Sequence, residues 1–315
     1  MKGNGKKSVL FAGALVFAVV LVSVLGQFIM PCDPQKTDLS ISLLSPNSAF
    51  WFGTDKLGRC IFSRILAGAP NTVLSAVIVT AASFAIGTFL GITAAYFGKL
   101  YEKVVMTATT LFQAFPKFIL IVALAGIMGT GLKNSIIALT LVYWVPYARV
   151  SRSLVLEIKH IDYIKAAQIC GAGPMAVLFR YILPNIAAPL IVECMLDIGG
   201  VILSLASLSY LGLGSAKPAI EWGSMMSEAK QVMLQAPWGI IFPGIAIFIV
   251  VSAFNYFGEK LGESFYSDRR KTADTVNKGR CLNRPEPDEP GSSLKNRSAK
   301  MFGGDECQDR KTPVK

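Results

Sequence analysis

Glu193 and Asp197 stand inside an otherwise apolar stretch and are four residues apart. On a helix, that spacing puts both carboxylates on one face. A charge at mid-bilayer costs at least ~2.5–3.5 kcal/mol, so such residues face a bundle interior or an aqueous cavity. Two readings follow. The pair lines a weakly cation-attracting translocation path, or it holds a polar interface with a partner. Little else in the chain suits chemistry. There is one histidine, His160, which reads as an ordinary loop residue. The six cysteines (Cys32, Cys60, Cys170, Cys194, Cys281, Cys307) include no C-x-x-C and fit neither a disulfide framework nor a zinc site. No H-E-x-x-H or G-x-S-x-G is present, so an intramembrane enzyme has no nucleophile or ligand set to work with. No G-x-x-x-x-G-K-[ST] is present either, so this chain has no P-loop of its own for ATP.

The elements that carry the two acids are membrane helices. Of 315 residues, 52% are apolar and only 16% charged, against about 25% charged in a soluble domain. Too much apolar surface is present for a globule of this size to hide, so lipid is the expected solvent. A helix needs about 20 apolar residues to cross the hydrocarbon. Six spans are expected, over residues 8–30, 71–98, 104–128, 134–150, 185–212 and 231–258. The first follows Lys6 and Lys7 but is too long for a signal-peptide core, and it reads as a retained helix. The second contains Gly87-x-x-x-Gly91 followed by Ala95, a small-residue stripe that lets helices approach closely. Pro116 and Lys117 interrupt the third and predict a kink. The fourth is short, and a bend at Pro146 with Arg149 snorkelling would fit it to the bilayer. With the N-terminus inside, the inner segments hold 23 Lys and Arg and the outer ones 7. The positive-inside rule then places both termini in the cytoplasm. The net charge of +11 is therefore mostly topogenic, and no motif supports nucleic-acid binding.

The stretch between the fourth and fifth spans is the most informative. Tyr163 to Pro184 reads as a helix ending near Gly171, a tight turn through Gly173-Pro174, and a second short helix ending before Pro184. Two short helices joined by glycine make a knob suited to docking into a partner's cleft. This stretch resembles the EAA loop of ABC-importer permeases, E-A-A-x3-G-x9-I-x-L-P, matching at Ala166, Ala167, Gly171, Leu183 and Pro184. Lys165 stands where the family has Glu, and Tyr181 where it has Ile. The change at Lys165 removes any ion pair carried over from that Glu.

Other stretches narrow the resemblance to the dipeptide/oligopeptide/nickel permeases. Phe52-Gly-Thr-Asp-Lys-Leu-Gly-Arg59-Cys60-Ile-Phe-Ser-Arg64 looks like F-G-T-D-x-L-G-R-D-x-x-S-R, with Cys60 replacing Asp. Leu208 to Gly214 and Glu221-Trp222-Gly223 look like L-S-F-L-G-L-G and E-W-G, and Pro237-Trp238, Pro243-Gly244 and Asn255 to Gly258 are similar to further family segments. Details such as Gly129-Thr-Gly-Leu132 and Leu196-Asp-Ile-Gly199 lean toward the nickel branch.

The resemblance implies an all-α membrane protein that acts as the permease of an ATP-driven importer of nickel or a metal chelate. Dipeptide or oligopeptide is the alternative cargo. It implies no cofactor on this chain, and ATP and Mg on separate ATPase subunits. It implies a second homologous permease and an external solute-binding protein as partners, in the cell (inner or cytoplasmic) membrane. The residues implied in coupling are Lys165, Ala166, Ala167, Gly171, Ala172, Leu183 and Pro184; the candidate path is Glu193 and Asp197. No nitrogen or sulfur cluster suited to nickel appears in the sequence, so the metal would arrive on the binding protein. The expected organisation is an N-terminal helix over 1–30, an external loop over 31–70 and a core of five helices over 71–262. That core includes the coupling loop at 157–184, and a mostly disordered cytoplasmic tail follows over 263–315.

Overall fold

The computed structural model describes residues 4–214 and 219–282. Among them there is no β-strand, only an isolated antiparallel bridge between Thr54 and Cys60. The long helices are α1 (Asn4–Leu25), α2 (Ile61–Phe97), α3 (Lys99–Gln113), α4 (Lys117–Met128) and α5 (Leu132–Ile158). A short α6 (Asp162–Ile169) and a single turn, α7 (Pro174–Ala176), lead through a π-helical stretch at Val177–Ile182 into α8 (Leu183–Tyr210). The short α9 (Trp222–Ala229) and the long α10 (Trp238–Leu282) follow.

Four runs are long and apolar enough to cross a membrane: Lys7–Leu25, Ile61–Phe97, Pro174–Tyr210 and Trp238–Phe265. A fifth is available if α3 and α4 count as one span bent by 92°. The kink expected at Pro116 is thus a full break, because proline lacks the N–H that would continue α3. The sixth expected span, 134–150, lies within α5. That helix is 27 residues long but carries Lys133, Arg149, Arg152 and Glu157, and it is absent from the apolar set. Its two arginines find partners along the bundle. Arg149 donates to Thr109 Oγ1 at 3.2 Å and Thr110 Oγ1 at 3.0 Å, and Arg152 donates to Glu102 at 2.7 Å. Arg149 therefore bonds to α3, where snorkelling was expected.

Helix α2 organises the rest. It turns Ser75, Thr80, Ser83 and Thr88 inward and leaves Leu74, Ile78, Ile86 and Phe89 exposed, the pattern of a helix in lipid. The Gly87/Gly91 stripe has a definite partner in α5. A Cβ on Gly87 would strike the Trp144 carbonyl and the Tyr147 side chain. One on Gly91 would strike Ser151 Oγ and the Ala148 carbonyl. α2 also starts ten residues earlier than its charge-free run predicted, so the loop expected over 31–70 ends at Cys60. Arg64 and Pro70 lie inside the helix. Arg64 can sit there, only 4% exposed, because acids from two other segments meet it.

The chain divides into units 1–264 and 265–315. Where a disordered tail was expected from 263, the described backbone is helical to Leu282. No glycine or proline interrupts residues 263–278, so nothing local stops the helix. The rest of that expected tail, 283–315 with Cys307, lies outside the described residues.

The glycine seam gives a direct test. Gly91→Leu forces a side chain into the α5 backbone, and overpacking of this kind costs about 1–3 kcal/mol or more. The variant is expected to lose thermal stability in detergent, read as an earlier fluorescence or aggregation midpoint. Gly126→Leu, where an added Cβ meets nothing within 4 Å, serves as the matched control and is expected to be near neutral.

Candidate functional site

The coupling segment is built by local rules. α6 ends at Ile169, and Gly171 takes φ +88°, the left-handed conformation that glycine adopts without steric cost. The Ala172 N–H donates to the Ala167 carbonyl at 3.0 Å and the Gly171 N–H to the Gln168 carbonyl at 3.0 Å. This pair of bonds is the Schellman helix stop. Pro174 then opens α7 at a position where a missing N–H costs nothing. Ile164, Val177, Leu178 and Ile182 are buried against Ile92 and Ala95 of α2 and Val155 of α5, so the knob is fused to the bundle. At the same end, Lys159 Nζ donates to the Ala95 carbonyl at 3.1 Å.

Of the expected coupling residues, Lys165, Ala166, Gly171 and Pro184 are exposed, Ala172 and Leu183 are half-buried, and Ala167 is buried in the knob's base. Lys165 makes only an exposed pair with Asp162 at 3.7 Å. The knob also presents Ile169, Met175 and Phe179, with Ile169 86% exposed. That exposed apolar surface was not legible from the motif alone.

Glu193 and Asp197 lie half-buried on α8, as the four-residue spacing required. Lys117, read from sequence only as an interruption, is within electrostatic reach of both acids. Its Nζ sits 3.3 Å from the centroid of the Tyr143 ring. Tyr143 in turn shares a 2.9 Å hydrogen bond with Ser204 of α8. The acids therefore belong to a charged seam joining α4, α5 and α8. Among the described residues, no group of three His, Cys, Asp or Glu side chains is placed to hold a metal ion.

At the other end of α2, the F-G-T-D-K-L-G-R segment forms an ion-paired cap. Asp55 Oδ1 accepts from the Leu57 and Arg59 N–H groups at 2.9 Å each, closing the turn. Its Oδ2 meets Arg59 at 2.7 Å and Arg64 at 2.5 Å. Glu228 of α9 completes the cluster, 2.5 Å from Arg59 and 3.0 Å from Arg64. Phe52 stacks on Phe242, and Trp238 Nε1 donates to the Thr54 carbonyl at 3.1 Å, which ties the loop to α10. The E-W-G segment locks α9 to its neighbours. Ser209 Oγ donates to Glu221 at 2.6 Å, and Trp222 Nε1 donates to the Ile65 carbonyl at 2.9 Å. Gly223 lies where a Cβ would strike the Ala206 carbonyl. Glu228 carries no sequence signal, because its partners lie far away in the chain.

The cap predicts a pH dependence. Burial alone would raise the Glu228 carboxyl, but the Arg64 and Arg59 guanidiniums outweigh it and hold the group below its ordinary value. A carboxyl lowered in the folded state adds stability above its unfolded pKa, and that stability is lost as pH falls through the folded pKa. Stability in detergent is expected to fall on acidification below the usual carboxylate range, and Glu228→Gln is expected to flatten that dependence. Arg64→Ala leaves Asp55 and Glu228 to Arg59 alone and is expected to lower the unfolding midpoint. An unchanged unfolding midpoint in Arg64→Ala would show that the cluster carries no stability.

Residues 87–263 match the family described as binding-protein-dependent transport system inner membrane component. That range takes in the glycine seam, the knob, the charged seam and α9. The chain is 37% identical over 258 residues to the nickel transport system permease protein NikC of Escherichia coli, covering 82% of this chain and 93% of that one. It is 37% identical over 254 residues to the glutathione transport system permease protein GsiD of Pectobacterium atrosepticum, covering 80% and 84%. It is 34% identical over 250 residues to the dipeptide transport system permease protein DppC of Alkalihalophilus pseudofirmus, covering 79% and 82%. The chain belongs to this family and is a membrane-spanning permease subunit of a binding-protein-dependent ABC importer, not itself an enzyme.

Proposed function

We propose that this permease imports nickel or a metal chelate across the cytoplasmic membrane. The observation that carries this substrate is the 37% identity to the nickel permease over 93% of that protein. Dipeptide or oligopeptide cargo is the second reading, favoured by the 34% identity to the dipeptide permease. In this reading α1, α2, the bent pair α3–α4, α5, α8 and α10 are six spans, with both termini cytoplasmic. α5 crosses because α3 satisfies its arginines. The chain works beside a second homologous permease, an external binding protein supplies the cargo, and ATPase subunits bind ATP and Mg. Lys165, Ala166, Gly171, Ala172 and Pro184, together with the exposed Ile169 and Phe179, form the surface that docks into an ATPase subunit. Ala167 and Leu183 anchor that surface. Closure of the ATPases moves the knob, and the helices behind it open the path.

Gly171→Val tests the coupling role. An added Cβ meets nothing within 4 Å there, so the strain is confined to the positive φ and the turn. The variant is expected to remain in the membrane, to copurify poorly with the ATPase subunits and to lose uptake. Labelled nickel and labelled dipeptide, offered separately to a deletion strain carrying the wild-type chain, decide the cargo. Nickel uptake alone is expected. Normal uptake by Gly171→Val at normal expression would remove the knob from the coupling reading.

For Glu193 and Asp197 we infer a holding role beside the path, because Lys117 supplies a counter-charge from within the same chain. Changing both acids to Gln and Asn then leaves an uncompensated cation, and the complex is expected to weaken. Adding Lys117→Met is expected to restore assembly and uptake together. Assembly restored with uptake still absent would instead assign the two acids to the path.

A further inference from the structure

The fold brings together two cysteines whose spacing in the sequence suggested no relationship. Cys60 stands at the N-cap of α2, where the resembling permeases have aspartate, and it is 4% exposed. Cys32 lies in the segment that follows α1 and is half-buried. The Cys32 N–H donates to Ser63 Oγ at 3.2 Å, which holds residue 32 over the first turn of α2. Residue 32 therefore lies beside the turn that begins at Cys60, near enough for the two thiols to interact electrostatically. Both are free thiols in this structure. Of the remaining cysteines, Cys170 is exposed at the end of α6 and Cys194 is half-buried on α8.

We propose that Cys32 and Cys60 form a dithiol–disulfide pair, closed by exchange with a small-molecule disulfide such as oxidised glutathione. The half-buried Cys32 is the accessible partner. Its thiolate attacks one sulfur of the incoming disulfide, forming a mixed disulfide and expelling one thiolate, which takes up a proton. Cys60 then loses its proton to solvent and attacks Cys32 Sγ, expelling the second thiolate. The two cysteines are oxidised by two electrons, and one disulfide is reduced to two thiols. Burial and the neighbouring Cys60 push the Cys32 thiol above its ordinary value, while Lys36 acts in the opposite sense. The attacking thiolate is thus a minor species, so closure is slow and quickens as pH rises. The closed bond would encircle the segment carrying Asp55 and Arg59, pinning the ion-paired cap to α2. Exposure of the pair to an external oxidant rests on the orientation proposed above, whereas the chemistry of the pair does not.

The test uses the purified full-length chain in detergent, where sidedness is absent. After treatment with oxidised glutathione and thiol blocking, non-reducing tryptic mapping is expected to lose the two reduced peptides that contain Cys32 and Cys60. In their place appears the peptide ending at Lys36 joined to the peptide 60–64, lighter by two hydrogens than the pair and separated again by dithiothreitol. Cys60→Asp, which restores the residue of the resembling permeases, is expected to abolish the joined species and leave Cys32 free for a glutathione adduct. Reduced peptides that persist in excess oxidant, a glutathione adduct at Cys32 alone in the wild-type chain, or links to Cys170, Cys194 or a second copy would overturn the proposal. The same mapping on intact cells exposed to membrane-impermeant oxidised glutathione bears on orientation. Failure there, with closure in detergent, counts against the outward placement and leaves the pair standing.

Discussion

At Gly87 and Gly91, α2 runs so close to α5 that a methyl group on either glycine would overlap a backbone carbonyl of Trp144 or Ala148. Lipid tails are as apolar as leucine, so helix association in a bilayer depends on close packing and hydrogen bonds more than on hiding oily surface. The two glycines supply the close packing. With α2 and α5 held together, both ends of α2 become platforms. Its first turn receives the Asp55–Arg59–Arg64–Glu228 cluster. Its last turns receive the knob, with Ile92 and Ala95 packed against Val177 and Ile182 and with Lys159 capping the Ala95 carbonyl.

The segments that resemble the permease family turn out to be fastenings. In F-G-T-D-K-L-G-R and E-W-G the bonded side chains reach other parts of the same chain. Asp55 closes its own turn and grips two arginines, Thr54 is held by Trp238 of α10, and Glu221 joins α8 to α9 through Ser209. Several of these bonds join positions distant in the chain. They specify an architecture and say little about what passes through it, which is why substrate identity rests on likeness to whole proteins.

What could be read in advance followed from local physics. Apolar runs located four apolar helices, Pro116 marked the α3–α4 break, and Gly171 with Pro174 marked the helix stop and restart of the knob, although the second helix, expected to end before Pro184, runs on into α8. Three features were not legible, and each depends on a partner remote in sequence. The start of α2 was placed ten residues late because nothing near Arg64 announces that Glu228 will meet it. α5 carries charges that look unsuited to a bilayer until Thr109, Thr110 and Glu102 are seen beside it. Lys117 looked like a blemish in an apolar run, and its nearness to Glu193 and Asp197 emerges only when α4 folds back across the bundle.

The run from Pro174 to Tyr210 is one unbroken helical stretch of 37 residues, about 55 Å long at 1.5 Å per residue. One end lies in the knob, the middle carries Glu193 and Asp197, and the far end is latched by Ser209 to Glu221. One continuous helix therefore connects the knob to the latch at Ser209. Two places along it depart from a regular α-helix, the widened π turn at Val177–Ile182 and Pro189, and both lie on the knob side of the two acids. From Leu190 to Tyr210 no proline interrupts the backbone, so the acids and the latch share one regular length of helix.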